Sequence, residues 1–176
     1  MVIRNKLTLT LSAALLALLH LLWEYFNGGV VTHYPLADAS NPGISNWWGL
    51  LSFPALTWIA LSIIEKRSST EKGEAASSIV FRHQYFLAGL TFGLMASLLW
   101  AFGQEEILQY VMLLPLVLSL FLRIYLPETT LGFVLGMAYT FGGILPIAFA
   151  VVIQMIGLLI HTLFNRGGKW LIRRFA

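Results

Sequence analysis

Apolar residues fall along this chain in long uninterrupted blocks, at about 7–26, 46–64, 84–103, 107–123 and 131–164, with most of the charge confined between them. A block of about 17–25 apolar residues, wound as an α-helix, matches the hydrocarbon thickness of a bilayer. The first four blocks fit one crossing each. The fifth is 34 residues long and as one helix would extend about 51 Å at 1.5 Å per residue. It contains Gly142-Gly143 and Pro146, residues that weaken or end a helix through backbone freedom and a missing N–H. The block therefore divides into about 128–142 and 145–164. The pattern predicts an all-α integral membrane bundle of six transmembrane helices, spanning about 7–26, 46–64, 84–103, 107–123, 128–142 and 145–164.

Charge orients these helices. With the N-terminus in the cytoplasm, Arg4, Lys6, Lys66, Arg67, Lys72, Arg82 and Arg123 fall inside. Six spans place Arg166, Lys169, Arg173 and Arg174 inside as well, so all 11 Lys and Arg are cytoplasmic. Five spans would put those last four outside, against the positive-inside bias. Both termini are accordingly expected in the cytoplasm.

The composition agrees. The chain is 58% hydrophobic and 11% charged, with a mean hydropathy of +0.78, whereas soluble domains carry about 25% charged residues. One transmembrane domain over 1–176 is expected, with the lipid bilayer as its first partner. The net charge of +3 reads as basic inner loops, not as a nucleic-acid surface. The absence of cysteine excludes disulfides, thiolate metal sites and a cysteine nucleophile.

Three connections stand out. Residues 27–45 form a long, semi-apolar outer segment with Pro35 and Pro42, expected to fold back over the bundle mouth as a cap. Residues 65–82 (EKRSSTEKGEAASSIVFR) are polar and small-residue rich, predicting a mobile cytoplasmic loop. Residues 165–176 alternate basic side chains with Trp170, Leu171, Ile172 and Phe175, a pattern for an interfacial tail on an anionic leaflet. The first span imitates a signal peptide, with Ala37-Asp38-Ala39 as an A-x-A. Its apolar core is longer than the usual 7–15 residues, so a retained span is the reading adopted. In lipid, close helix contact depends on small side chains. Gly89, Gly93 and Ser97 on span 3, and Gly132, Gly136 and Thr140 on span 5, supply such stripes. Ala13 and Ala17 on span 1, and Ala150, Gln154, Gly157 and His161 on span 6, supply two more.

The stretch HLLWEYFNGGVVTH, residues 20–33, carries the candidate chemistry. His20 and Glu24 are four apart and share one helix face. His20 lies about 9 Å below the outer helix end. An ionisable pair at that depth is expected to face the bundle interior or a hydrated cavity. The outer face also receives His33, Asp38, Gln104, Glu105, Glu106 and Gln109, and no Lys or Arg. His20, Glu24, His33, Asp38, Glu105, Glu106 and the deeper Gln154 therefore form the candidate ligand or proton site. His20, Glu24, His33 and Asp38 have the donor types of a divalent-metal site, although H-x-x-x-E is weaker than H-E-x-x-H. The plainer alternative is that His20 and Glu24 satisfy each other while Glu105 and Glu106 are solvated. His83 and His161 lie near the inner boundary, where helix-end roles fit better than haem ligation. Ser40 and Ser45 lack the setting of a nucleophile elbow.

The blocks H-x-x-W-E, GGV, His33, SNWWGLL and GMAYTFGGILP resemble a group of small bacterial polytopic membrane proteins with no established activity. That resemblance implies a bacterial cytoplasmic (inner) membrane and no mechanism. The E-to-H pattern is distantly similar to sterol-isomerase-like (EXPERA) helices, whose bundles are organised differently, so no residue is carried over. Three functions follow as expectations. The first is small-ligand, ion or metal binding and transport through an outward polar mouth. The second is a membrane-embedded metal-dependent enzyme using His20, Glu24, His33 and Asp38. The third is an assembly partner of another membrane protein, docking through the outer loop with Trp47 and Trp48.

Overall fold

The computed structural model describes residues 2, 3, 5–34, 40–72, 79, 80 and 82–175. It is a helical bundle with two very short antiparallel strand pairs. The helices are α1 (Lys6–Phe26), α2 (Gly49–Lys72), α3 (His83–Ala101), α4 (Glu105–Val111), α5 (Leu114–Leu118), α6 (Pro127–Phe141) and α7 (Ile144–Phe175). Strand β1 (Val2–Ile3) pairs with β4 (Ile79–Val80), and β2 (Thr32–His33) pairs with β3 (Ile44–Ser45). Four stretches are long and apolar enough to cross a membrane: Lys6–Phe26, Asn46–Thr70, His83–Ala101 and Ile144–Phe164. Only 17–22% of the most apolar window of each is buried, so most of these apolar residues lie on the bundle exterior. Leu11 is 60% exposed and Met155 69%. A surface of that kind is far beyond the isolated apolar patches of a water-soluble monomer.

The α3–α6 contact is the tightest in the bundle, and small residues make it. A Cβ added at Gly89 would collide with the Thr129 carbonyl oxygen, and one at Gly93 with that of Phe133. From the other side, a Cβ at Gly132 would strike the Phe86 carbonyl oxygen, and one at Gly136 would lie 2.7 Å from that of Leu90. Ser97 Oγ donates to the Gly136 carbonyl at 3.0 Å. The two predicted stripes thus face each other, with backbones in direct contact as small-x-x-x-small packing allows. Partner numbers rise together along both helices, so α3 and α6 run parallel. Their link, residues 102–126, must return along the bundle.

That return is not the continuous helix expected over 107–123. Pro115 has no N–H to bond four residues back. The chain tightens instead through Leu113 N–H to the Tyr110 carbonyl (3.1 Å) and Leu116 N–H to that of Leu113 (3.0 Å), leaving two short helices, α4 and α5. On α7 the predicted stripe receives this segment. Gly157 packs on Ile124 and Ser119, His161 Nδ1 lies 2.9 Å from the Ser119 carbonyl, and Gln154 bonds the Thr130 hydroxyl and the Leu126 carbonyl.

Two helices run past the boundaries expected for their spans. The second helix does not end near 64. It continues to Lys72 through the first part of the segment read as a loop, while residues 73–78 and 81 lie outside the described residues. The segment from 165 is helical too, continuous with α7 as far as Phe175.

Ion pairs hold the extended α2 at the end of the bundle where α1 begins. Lys6 Nζ lies 2.9 Å from Ser62 Oγ and 3.3 Å from Glu65, and it sits 4.1 Å above the Trp58 ring. Arg67 grips Glu128 with two bonds, Nη2 to Oε1 at 2.6 Å and Nη1 to Oε2 at 3.2 Å. Glu128 is fully buried at the start of α6 and also accepts the Arg82 backbone N–H at 3.1 Å. One carboxylate therefore ties together α2, α6 and the start of α3.

Candidate functional site

The opposite end of the bundle is organised around Glu24. α1 ends two residues later at Phe26, and Gly28 and Gly29, both at positive φ (120° and 104°), reverse the chain. Such φ values favour glycine because a Cβ is strained there. The reversal brings the Val31 N–H to Glu24 Oε2 at 3.2 Å. It also starts the hairpin in which Thr32 faces Ser45 and His33 faces Ile44. At the hairpin exit, the Asn46 backbone N–H donates to the Val31 carbonyl at 2.9 Å, and its side-chain Nδ2 donates to Glu24 Oε1 at 2.6 Å. Glu24 and Asn46 are both buried. The buried carboxylate thus anchors both ends of the hairpin to α1.

The α6–α7 turn closes the other side. Gly142 has φ +66°, and its missing Cβ is the space occupied by Asn46 Oδ1, with His33 Cδ2 3.4 Å from the same point. Any side chain at 142 would displace the amide that holds Glu24. Glycine is required at this turn for close approach as well as for backbone angle.

Two imidazoles flank the carboxylate. His20 Nε2 lies 3.2 Å from Glu24 Oε1, but the pair is not aligned as a hydrogen bond, and this buried nitrogen makes no hydrogen bond among the described residues. The attraction at that distance operates when the ring is protonated. The His20 ring packs against Tyr139 of α6, with centroids 5.7 Å apart. His33 Nε2 is likewise buried without a hydrogen-bond partner among the described residues. Burial pushes the His33 pKa below 6.5, partly offset by the nearby Glu24 charge and the adjacent Asn46 side chain, so His33 is neutral at pH 7. Beside Glu24 a cleft of about 270 Å³ opens between α1 and α6. His20, Trp23, Glu24, Asn27 and Tyr139 line it, with Gly29 and Val31 at its upper edge.

Of the residues singled out from the sequence, His20, Glu24 and His33 are brought together. Asp38 lies outside the described residues. Glu105 and Glu106 are exposed in the first turn of α4, do not line the cleft, and make no side-chain hydrogen bond or ion pair among the described residues. Gln154 is engaged with Thr130 and Leu126, where α6 begins, and does not join the cleft. Among the described residues, no three His, Cys, Asp or Glu side chains are grouped to hold a metal ion. Asn46, which holds the Glu24 carboxylate, was not among the residues singled out from the sequence. A signal was available, since an amide beside a double tryptophan closes the loop that begins at Glu24.

Comparison with protein-family models, curated proteins and solved structures found no match to this chain.

Proposed function

We propose that the chain is a six-pass protein of the bacterial cytoplasmic membrane, with both termini inside, that binds and translocates a small ligand or ion through its extracytoplasmic mouth at Glu24. The observation carrying this reading is a buried carboxylate beside an open cleft, 3.2 Å from a His20 nitrogen that makes no hydrogen bond among the described residues. A purely structural His–Glu pair would have its donors and acceptors satisfied, as buried polar groups are. Here the carboxylate is held by Asn46 and Val31, while His20 Nε2 and His33 Nε2 are buried without a hydrogen bond among the described residues. Imidazoles beside a carboxylate at this depth suit proton exchange and ligand capture.

The parallel α3–α6 pairing supports six crossings, because residues 102–126 must return between them. The location of Lys6, Arg67 and Arg82 at the end opposite Glu24 supports the orientation by the positive-inside bias. The likeness of the H-x-x-W-E and SNWWG blocks to small bacterial membrane proteins supplies the membrane.

Charge displacement tests the proposal. Wild-type protein in liposomes on a solid-supported membrane is pulsed with Na⁺, K⁺, Mg²⁺, choline, chloride exchange and a pH step. At least one pulse is expected to give a transient current that Glu24→Gln reduces tenfold or more, with the protein still folded. Currents from wild type and Glu24→Gln that are indistinguishable for every probe would overturn it.

A further inference from the structure

We infer that the ligand group recognised in the Glu24 cleft is an organic ammonium, a deepening that rests on the reading of this cleft as a binding site. Three features of the cleft point the same way. Its only formal charge among the lining residues is the Glu24 carboxylate, and no Lys or Arg lines it. Its walls are aromatic: Trp23 and Tyr139 stand on opposite helices, 60% and 73% exposed, with the His20 ring tilted against Tyr139. Its polar donors are few, because the Asn27 amide is committed to the Trp23 carbonyl at 2.8 Å and Asn46 to Glu24.

An anionic ligand would meet a carboxylate and find no cation. A bare metal ion would find one carboxylate and no group of three ligands among the described residues. An alkylammonium meets a carboxylate for its charge and π-faces for its polarised methyl or methylene groups, the combination by which such cations are recognised. The cleft's volume of about 270 Å³ lies at the small end of ligand sites, suiting a headgroup-sized cation. The same chemistry occurs in a free amine and in the headgroup of a zwitterionic lipid.

Thermal shift of the intact purified protein tests this with choline, tetramethylammonium and 3,3-dimethylbutan-1-ol, the uncharged carbon isostere of choline. Mg²⁺, Zn²⁺ and phosphate are run alongside. Choline and tetramethylammonium are expected to raise the unfolding temperature in a saturable way, and the isostere is not. Glu24→Gln and Trp23→Leu should each weaken the apparent affinity at least tenfold. Trp23→Leu keeps the surface apolar, so a folded variant is retained even if Glu24→Gln is unstable. Repeating the titration in phosphatidylglycerol and in phosphatidylethanolamine nanodiscs separates the sources. Loss of the choline shift only in the ethanolamine discs identifies the lipid headgroup as occupant, and equal shifts identify a free ligand. No ammonium shift in any environment, or equal shifts from the isostere, would overturn the inference. If Mg²⁺, Zn²⁺ or phosphate instead gives a Glu24-dependent shift, the ammonium class falls while the cleft remains a binding site. If no probe does so, and no pulse gives a Glu24-dependent current, both readings fall.

Discussion

Replacing Glu128 by alanine is expected to be among the most damaging single changes available in this chain, lowering stability by about 3–5 kcal/mol, as when one partner of a buried ion pair is removed. Glu128 is fully buried and receives two bonds from Arg67 and one from the Arg82 backbone. Its removal takes two hydrogen bonds from a largely buried guanidinium and frees the junction of α2, α3 and α6. Arg67→Ala should cost a similar amount, since it takes both guanidinium bonds from a buried carboxylate. The double replacement Arg67→Met with Glu128→Leu should cost far less than the sum, because the uncompensated charge disappears. Thermal or denaturant unfolding of the purified variants measures this, with Glu105→Ala as the exposed control, expected within about 0.5 kcal/mol of wild type. A Glu128→Ala protein as stable as wild type would show that the carboxylate does not tie these helices.

At the other end, Glu24→Ala is expected to release the hairpin. Asn46 Nδ2 loses its acceptor inside the protein, and a buried donor left without one costs about 1–3 kcal/mol. The Val31 N–H loses its acceptor as well, though nearer to solvent. Glu24→Gln keeps the shape and one acceptor oxygen, so it should cost less. Amide hydrogen exchange at residues 31–34 and 44–46 should accelerate in Glu24→Ala and far less in Glu24→Gln, while exchange in the α3–α6 core stays unchanged. Unaltered hairpin exchange in Glu24→Ala would contradict the anchoring role. The same region carries a pH dependence. The His33 pKa is lowered on folding from 6.5, so below that value the unfolded chain takes up a proton that the folded chain resists. Stability contributed here is therefore full above 6.5 and declines as pH falls toward the depressed folded value.

How much of this was legible beforehand differs between backbone and site. The long apolar blocks carry their own length and period, and the glycine stripes on spans 3 and 5 name their interface because nothing larger fits there. The interruption at Pro115 was visible as a residue but not as a break, since proline inside an apolar run is tolerated when neighbouring helices satisfy the freed carbonyl. The extension of α2 to Lys72 was hidden by a polar composition that also suits a loop. What holds it helical is long-range: Lys6 with Glu65, and Arg67 with a glutamate 61 residues away. Periodicity reports which face of a helix is apolar, not which distant residue will neutralise it.

The site divides in the same way. His20 and Glu24 share a face by helical geometry, so their proximity was readable. His33 joins them because Gly28 and Gly29 reverse the chain, which the glycine pair foretold. Glu105 and Glu106 share the end of the bundle but not the cleft, because sidedness in a membrane fixes depth and leaves lateral position open. Asn46 and Gly142 could be found only once α1, the hairpin and the α6–α7 turn were brought together in space.

In the proposed orientation Glu24 and its cleft face the outside, and the Arg67–Glu128 end faces the cytoplasm. The natural chain has no cysteine, so a single introduced thiol reports its own side of the membrane. Asn27→Cys, at the cleft, and Thr70→Cys, at the exposed end of α2, are treated in intact cells with a membrane-impermeant maleimide. Asn27→Cys is expected to be labelled at once and Thr70→Cys only after permeabilisation. Labelling of Thr70→Cys in intact cells, with Asn27→Cys protected, would contradict this orientation.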